Sequence, residues 1–190
     1  MGLGSLCRRR RFRDALQFIS YYHPLDYVKA VEAAYEREES QAAKDAMAQI
    51  LINSRMSAEG KRPLCQDTGI VTCFVKIGMQ VQFDKHDLTV QEMVDEGTRR
   101  AYNNVDNPLR ASIVADPAGA RVNTKDNTPA VVHIDMVAGD KIEVMIAAKG
   151  CGSENKSKMV MLNPSDDIAE CVVKTLPTMG AGWCPPGMLG

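Results

Sequence analysis

Arg62-Pro63-Leu64-Cys65-Gln66-Asp67-Thr68-Gly69 sets a thiol, a carboxamide, a carboxylate and a hydroxyl on four successive residues, then runs into the apolar stretch Ile70 to Ile77. Cys65 is a soft metal ligand, Asp67 a proton carrier, and Gln66 a handle for a polar substrate. Near the other end, Gly182-Trp183-Cys184-Pro185-Pro186-Gly187 presents a second thiol on a backbone that its prolines keep out of helix. Cysteine beside proline in an irregular loop recurs among iron–sulfur ligands. Lys149-Gly150-Cys151-Gly152-Ser153-Glu154-Asn155-Lys156-Ser157 combines glycines, which allow close backbone approach, with hydroxyl, amide and ammonium donors suited to an anion. Its spacing is not that of a P-loop. Arg110 and Arg121 lie in a stretch rich in Asn, Asp, Pro and Gly, residues 103–127, and each carries a fork that could grip a carboxylate.

The bulk numbers exclude more than they select. The 190 residues suffice for one core and suggest one domain. A net charge of −1, with 45% hydrophobic and 25% charged residues, gives no electrostatic pull towards nucleic acid or acidic lipid. No apolar run approaches the ~20 residues that span a bilayer. Six cysteines without dense spacing or a secretory leader indicate a reducing cytoplasm rather than a disulfide framework, and no pair has the C-x-x-C spacing of zinc or thioredoxin-like sites. The basic cluster Arg8 to Arg13 reads as a solvated tail.

Several elements must position these residues. His23-Pro24 opens a helix over Leu25 to Glu39, with Val28, Val31 and Tyr35 on one face. Ser40 caps a second, Gln41 to Glu59, with a stripe of Ala43, Met47, Ile50, Leu51 and Ser54, and Gly60 stops it. Ile70 to Ile77 is a strand that buries Cys73, and Val81 to Phe83 could continue the sheet. Thr89-Val90-Gln91-Glu92 is a capping box for a helix reaching about Asn104, with Val90, Met93, Val94 and Ala101 inward; His86 precedes it in a loop. Ala130 to Val137 and Lys141 to Ala148, joined by Ala138-Gly139-Asp140, carry an antiparallel hairpin signal, and His133 is a sheet histidine. Ser165-Asp166-Asp167 caps a last helix to about Leu176, with Ile168, Cys171 and Val172 inward. The class is α+β: a mixed sheet with a hairpin, flanked by helices.

Taken together, the motifs resemble the class I, iron–sulfur-dependent fumarate hydratases and their relative L(+)-tartrate dehydratase. The resemblance covers Asp14 to Gly190 and leaves residues 1–13 as a tail outside it. It rests on Ile19-Ser20-Tyr21-Tyr22-His23-Pro24, Arg62 to Gly69, Leu109-Arg110-Ala111-Ser112, Asn123 to Ala130, Ala147 to Ser157 and Gly182 to Gly187. It implies the partial N-terminal domain of a larger hydro-lyase. Such an enzyme holds a four-iron four-sulfur (4Fe-4S) cluster through three cysteines, with one iron left open. Cys65 and Cys184 match two of those ligands, and the third is expected downstream of Gly190. Cys151 stands where the family's loop is expected to have glycine, and is not the missing ligand. By the same resemblance Gln66 and Asp67 contact substrate, with Asp67 delivering a proton, and Arg110 grips a carboxylate. Cys151, Gly152, Ser153, Glu154, Asn155, Lys156 and Ser157 match the loop that embraces the substrate.

The implied reaction is the reversible hydration of fumarate to (S)-malate. A small dicarboxylate is the partner, with neither nucleic acid nor membrane involved, and the full-length protein is a homodimer. Two alternatives stand beside it. One is an L(+)-tartrate dehydratase alpha subunit, and the other a clusterless fragment without activity. An electron carrier fits less well, because a carrier saturates its irons with cysteine. The 190 residues alone are expected to be inactive, and to self-associate through apolar surface that the remainder covers.

Overall fold

Every second residue of Ile70–Gly78 is apolar and points inward, so Val71, Cys73, Val75 and Ile77 are buried and the segment forms strand β1. The structure is a computed structural model and describes residues 5–83, 87–150 and 158–179. β1 is the central strand of a three-stranded sheet. It runs parallel to β4 (Val131–Val137) and antiparallel to β5 (Ile142–Lys149). Between them in sequence, Val114–Ala115 (β2) and Val122–Asn123 (β3) form a separate two-stranded ladder.

The α+β class holds, but the expected hairpin is opened. β4 and β5 run in opposite directions without pairing to each other, because β1 lies between them. Inserted there, β1 satisfies both of its backbone edges; direct closure of β4 on β5 would leave one of those edges unpaired. The connection 138–141 therefore crosses the end of β1. The Gly78 N–H donates to Lys141 O at 2.8 Å and the Gln80 N–H to Gly139 O at 2.9 Å. A Cβ on Gly78 would lie 2.4 Å from Gly139 O, so the crossing needs glycine there. The chain turns after Gly78, and Val81 to Phe83 do not extend the sheet.

One face of the sheet is covered by two helices. Helix α4 (Val90–Tyr102) starts at the expected capping box, Thr89 accepting from the Glu92 N–H and Glu92 from the Thr89 N–H, and buries Val94, Ala101 and Tyr102. Helix α1 (Ser5–Tyr21) packs against α4 and β5 and contributes Leu16 and Tyr21 to the core. Periodicity did not identify α1. Its sequence opens on an arginine run that carries no apolar periodicity, and Phe12 is the first of its described apolar contacts. That ring lies so close to Gly97 that a Cβ there would sit 2.6 Å from Phe12 Cδ1.

Helices α2 (Leu25–Arg37) and α3 (Gln41–Gly60) pack on each other, with Val31 buried and the expected α3 stripe half-covered. Lys61, at φ 47°, takes the left-handed step that ends α3, rather than Gly60. Among the described residues, nothing covers the second face of the sheet. There Phe74 stacks on His133 at 4.8 Å, beside exposed Met145 and the Lys76–Glu143 pair. The last helix, α5 (Ile168–Thr175), is capped by Asp167 as expected, but its apolar residues are not inward. Ile168 is 71% exposed and Val172 50%, while Cys171 is only half-buried, because no described element lies over that face.

Candidate functional site

Strand directions create the site. β1 and β4 are parallel and β5 antiparallel to both, so the start of β1, the start of β4 and the end of β5 share one edge of the sheet. The segments 65–69, 127–130 and 149–150 meet there. Gly69, at φ 67°, makes the entry into β1, and a Cβ on it would fall 2.2 Å from the backbone carbonyl of Lys149. Only glycine permits both the left-handed turn and that contact.

Within the Cys65 loop the polar groups hold one another. The Asp67 carboxylate accepts the Gly69 N–H at 3.0 Å, an Asx turn that fixes the carboxylate above the start of β1. It also lies against the stem of the following loop, since a Cβ at Gly150 would be 3.3 Å from Asp67 Oδ2. Cys65 is an exposed, free thiol. Its Sγ accepts from the Asp67 N–H at 3.5 Å and donates to Gln66 Oε1 at 3.2 Å. Arg110 reaches the same loop, donating from Nη1 to Gln66 O at 3.5 Å. The Thr68 hydroxyl donates to Arg110 O and lies 3.3 Å from Ser112 Oγ. From α4, the Tyr102 hydroxyl donates to Thr68 O at 3.3 Å. Burial pushes that phenol up, outweighing the hydrogen bond to Thr68 that works to lower it, with the Asp67 charge adding to the rise, so it stays a neutral donor.

Asn127 ties these segments together. It is fully buried, and its Oδ1 accepts from the Ser112 and Ile113 N–H groups at 2.6 and 3.2 Å, while Nδ2 donates to Gly69 O at 2.9 Å. Its own loop is clamped to α4. Asp95 accepts from the Ala130 N–H at 2.8 Å, Gln91 donates to Ala130 O at 3.0 Å, and Arg99 pairs with Asp126 at 3.0 Å. Burial works to raise the Asp126 pKa, but hydrogen bonds from the Thr128 hydroxyl and N–H and from Arg99 outweigh it, so the carboxyl titrates lower than usual. Sequence reasoning gave Asn127 no role. In a run of turn-forming residues nothing singles out the one that is buried.

Of the residues expected at the site, Cys65, Gln66, Asp67 and Arg110 come together. Arg121 does not join them and donates instead to Pro117 O within its own turn, at 3.4 Å. Arg62 lines a polar cleft with Gln17, Tyr21, Lys61 and Asn107. Cys151, Gly152, Ser153, Glu154, Asn155, Lys156, Ser157 and Cys184 lie outside the described residues, as does His86. Among the described residues no three His, Cys, Asp or Glu side chains cluster as a metal centre. Among the described cysteines Cys65 is the exposed one, and its place in an irregular loop suits a cluster ligand. Cys73 is buried in β1, where the loss of hydration pushes its thiol up to about 11.

Residues 9–190 match the family described as fumarate hydratase (Fumerase). The chain is 34% identical over 185 residues to a putative L(+)-tartrate dehydratase subunit alpha of Methanocaldococcus jannaschii, covering 94% of this chain and 62% of that one. It is 29% identical over 187 residues to the anaerobic class I fumarate hydratase of Escherichia coli K12, covering 96% of this chain and 33% of that one. The L(+)-tartrate dehydratase subunit alpha of Escherichia coli UTI89 is 28% identical over 178 residues, covering 90% of this chain and 57% of that one. The chain thus spans between a third and about three fifths of these relatives' lengths.

Proposed function

The chain belongs to the fumarate hydratase family, and from that premise we propose that it forms part of a hydro-lyase interconverting fumarate and (S)-malate in the cytoplasm, as a homodimer of the complete enzyme. The observation that carries this reading is the convergence of Cys65, Gln66, Asp67 and Arg110 on one edge of the sheet. Removing water from a hydroxy acid requires a proton to leave the carbon next to a carboxylate and hydroxide to depart from its neighbour. Hydroxide leaves poorly without help. Cys65, with Cys184 and a third cysteine from elsewhere in the enzyme, would hold a 4Fe-4S cluster. When bound, that cluster supplies an open iron as Lewis acid for the departing oxygen.

A base from elsewhere in the enzyme would take the carbon-bound proton, while this chain's own residues act on the leaving hydroxyl and on the substrate's polar groups. Asp67, oriented by the Gly69 N–H, gives a proton to the leaving hydroxyl and recovers it in the reverse direction. Arg110, steadied through its backbone by Thr68, binds a substrate carboxylate with its guanidinium. Gln66 supplies an amide to the same substrate. By the family resemblance, residues 151–157 would bind the same substrate.

A second reading has its own support: the 34% identical relative carries the tartrate dehydratase name. The two readings predict different substrates for one chemistry. Anaerobic reconstitution of the complete enzyme with iron and sulfide, assayed on (S)-malate and on L(+)-tartrate, separates them. Asp67→Asn is expected to lower kcat by about 10²- to 10⁴-fold on whichever substrate is turned over. Undiminished turnover in that variant, or full activity in iron-free protein, would sink the mechanism.

A further inference from the structure

We propose that Asn127 is a positioning residue for this reaction, setting the distance between the proton-carrying loop and the guanidinium through its single carboxamide. The inference rests on the reading of Asp67 and Arg110 given above. Asn127 acts through backbone groups of the neighbouring segments. Its Nδ2 holds Gly69 O, and the N–H of that same Gly69 is held by the Asp67 carboxylate. Its Oδ1 holds the N–H groups of Ser112 and Ile113, and Arg110 stands two residues before Ser112. One planar group therefore fixes both segments, and its own backbone is fixed to α4 through Asp126 and Ala130.

The residue type follows from these demands. The backbone at Asn127 is left-handed, φ 60°, a conformation that asparagine tolerates better than other residues with a side chain, glycine excepted. The side chain must accept on one side and donate on the other. Aspartate could accept from Ser112 and Ile113, but would set a second acceptor against Gly69 O. Glycine would keep the backbone and lose all three bonds. Burial leaves no water to take the place of a missing partner, so the two segments would part or shift. A displacement of about 1 Å in a catalytic arrangement costs on the order of 10²-fold in rate.

The test uses the reconstituted holoenzyme. Asn127→Gly and Asn127→Asp are expected to lower kcat by about 10- to 100-fold while KM changes less than about threefold, since Arg110 still binds the carboxylate. Amide hydrogen exchange at Ser112 and Ile113, read without reference to activity, should accelerate at least about tenfold in Asn127→Gly. Cys73→Ala, also fully buried but remote in the sheet, serves as the structural control and should lower Tm with kcat unchanged. The proposal is overturned if Asn127→Gly keeps kcat within twofold of the parent, if the two amides exchange no faster, or if the control loses kcat to the same degree. Should Asp67→Asn prove fully active while the amides still open in Asn127→Gly, the assignment of Asp67 fails and the carboxamide clamp stands.

Discussion

Cys65 and Cys73 are eight residues apart in sequence and opposite in chemistry. Cys65 is exposed at the mouth of the loop, whereas Cys73 sits inside β1 with no exposed surface. Alkylation of the native apo-protein by iodoacetamide should therefore modify Cys65 first and leave Cys73 untouched until the sheet opens, as peptide mass spectrometry would report. The raised Cys73 pKa has a further consequence with a definite sign. The unfolded thiol ionises from roughly pH 8.5, but the folded one resists until about 11, so its contribution to stability is complete below that window and declines as pH rises through it. Cys73→Ala should cost about 1–2 kcal/mol at pH 7 in urea denaturation and flatten the alkaline fall. At this scale the sequence was legible where a residue's neighbours declare its role. Cys65 is followed by Gln, Asp and Thr, and Cys73 is embedded in an apolar strand. Asn127 was not legible, because its importance lies in three partners contributed by two other segments.

At the scale of elements, α4 is the support on which the site's loops are hung. Its capping box and inward face could be read from spacing, since both are local patterns. That its outer residues Gln91, Asp95 and Arg99 reach a loop some thirty residues later could not. Acid should weaken this support. The depressed Asp126 pKa, together with that of Glu96, which Arg100 and Arg99 hold down, adds stability above roughly pH 4 that is lost as pH falls through the lowered folded values. Asp126→Asn should show a shallower loss of stability between pH 5 and pH 3 than the parent, measured by chemical denaturation at each pH. The crossing over β1 makes another demand on a single residue. Gly78→Ala should destabilise the fold by about 1–3 kcal/mol, because the methyl group meets backbone rather than a yielding side chain. Gly60→Ala, whose added carbon finds only Arg62 side-chain atoms from 3.7 Å outward, should be close to neutral in the same assay.

For the whole molecule, helices and strands were largely recoverable from periodicity, but their order in space was not. Two strands joined by Ala138-Gly139-Asp140 carry every local mark of a hairpin, and only the presence of an earlier strand in search of two edges changes the outcome. The apolar stripe of α5 likewise departed from the sequence expectation, since an amphipathic pattern states that a face will be covered and not by what.

The position of β1 also bears on how the chain reaches its native form. The neighbours of the central strand are made after it, and they could meet each other sooner than either could meet it, because a four-residue loop closes faster than the connections of about fifty residues or more that separate them from β1. A β4–β5 pair that zips shut directly is thus a competitor written into the same residues, and it must reopen before the middle place can be filled. Ala138→Asn, which would strengthen the tight two-residue turn signal ahead of Gly139, should slow refolding in stopped-flow experiments while changing equilibrium stability little. The plain crossing of one short connection over one glycine would then mark where this molecule is most easily delayed on its way to being itself.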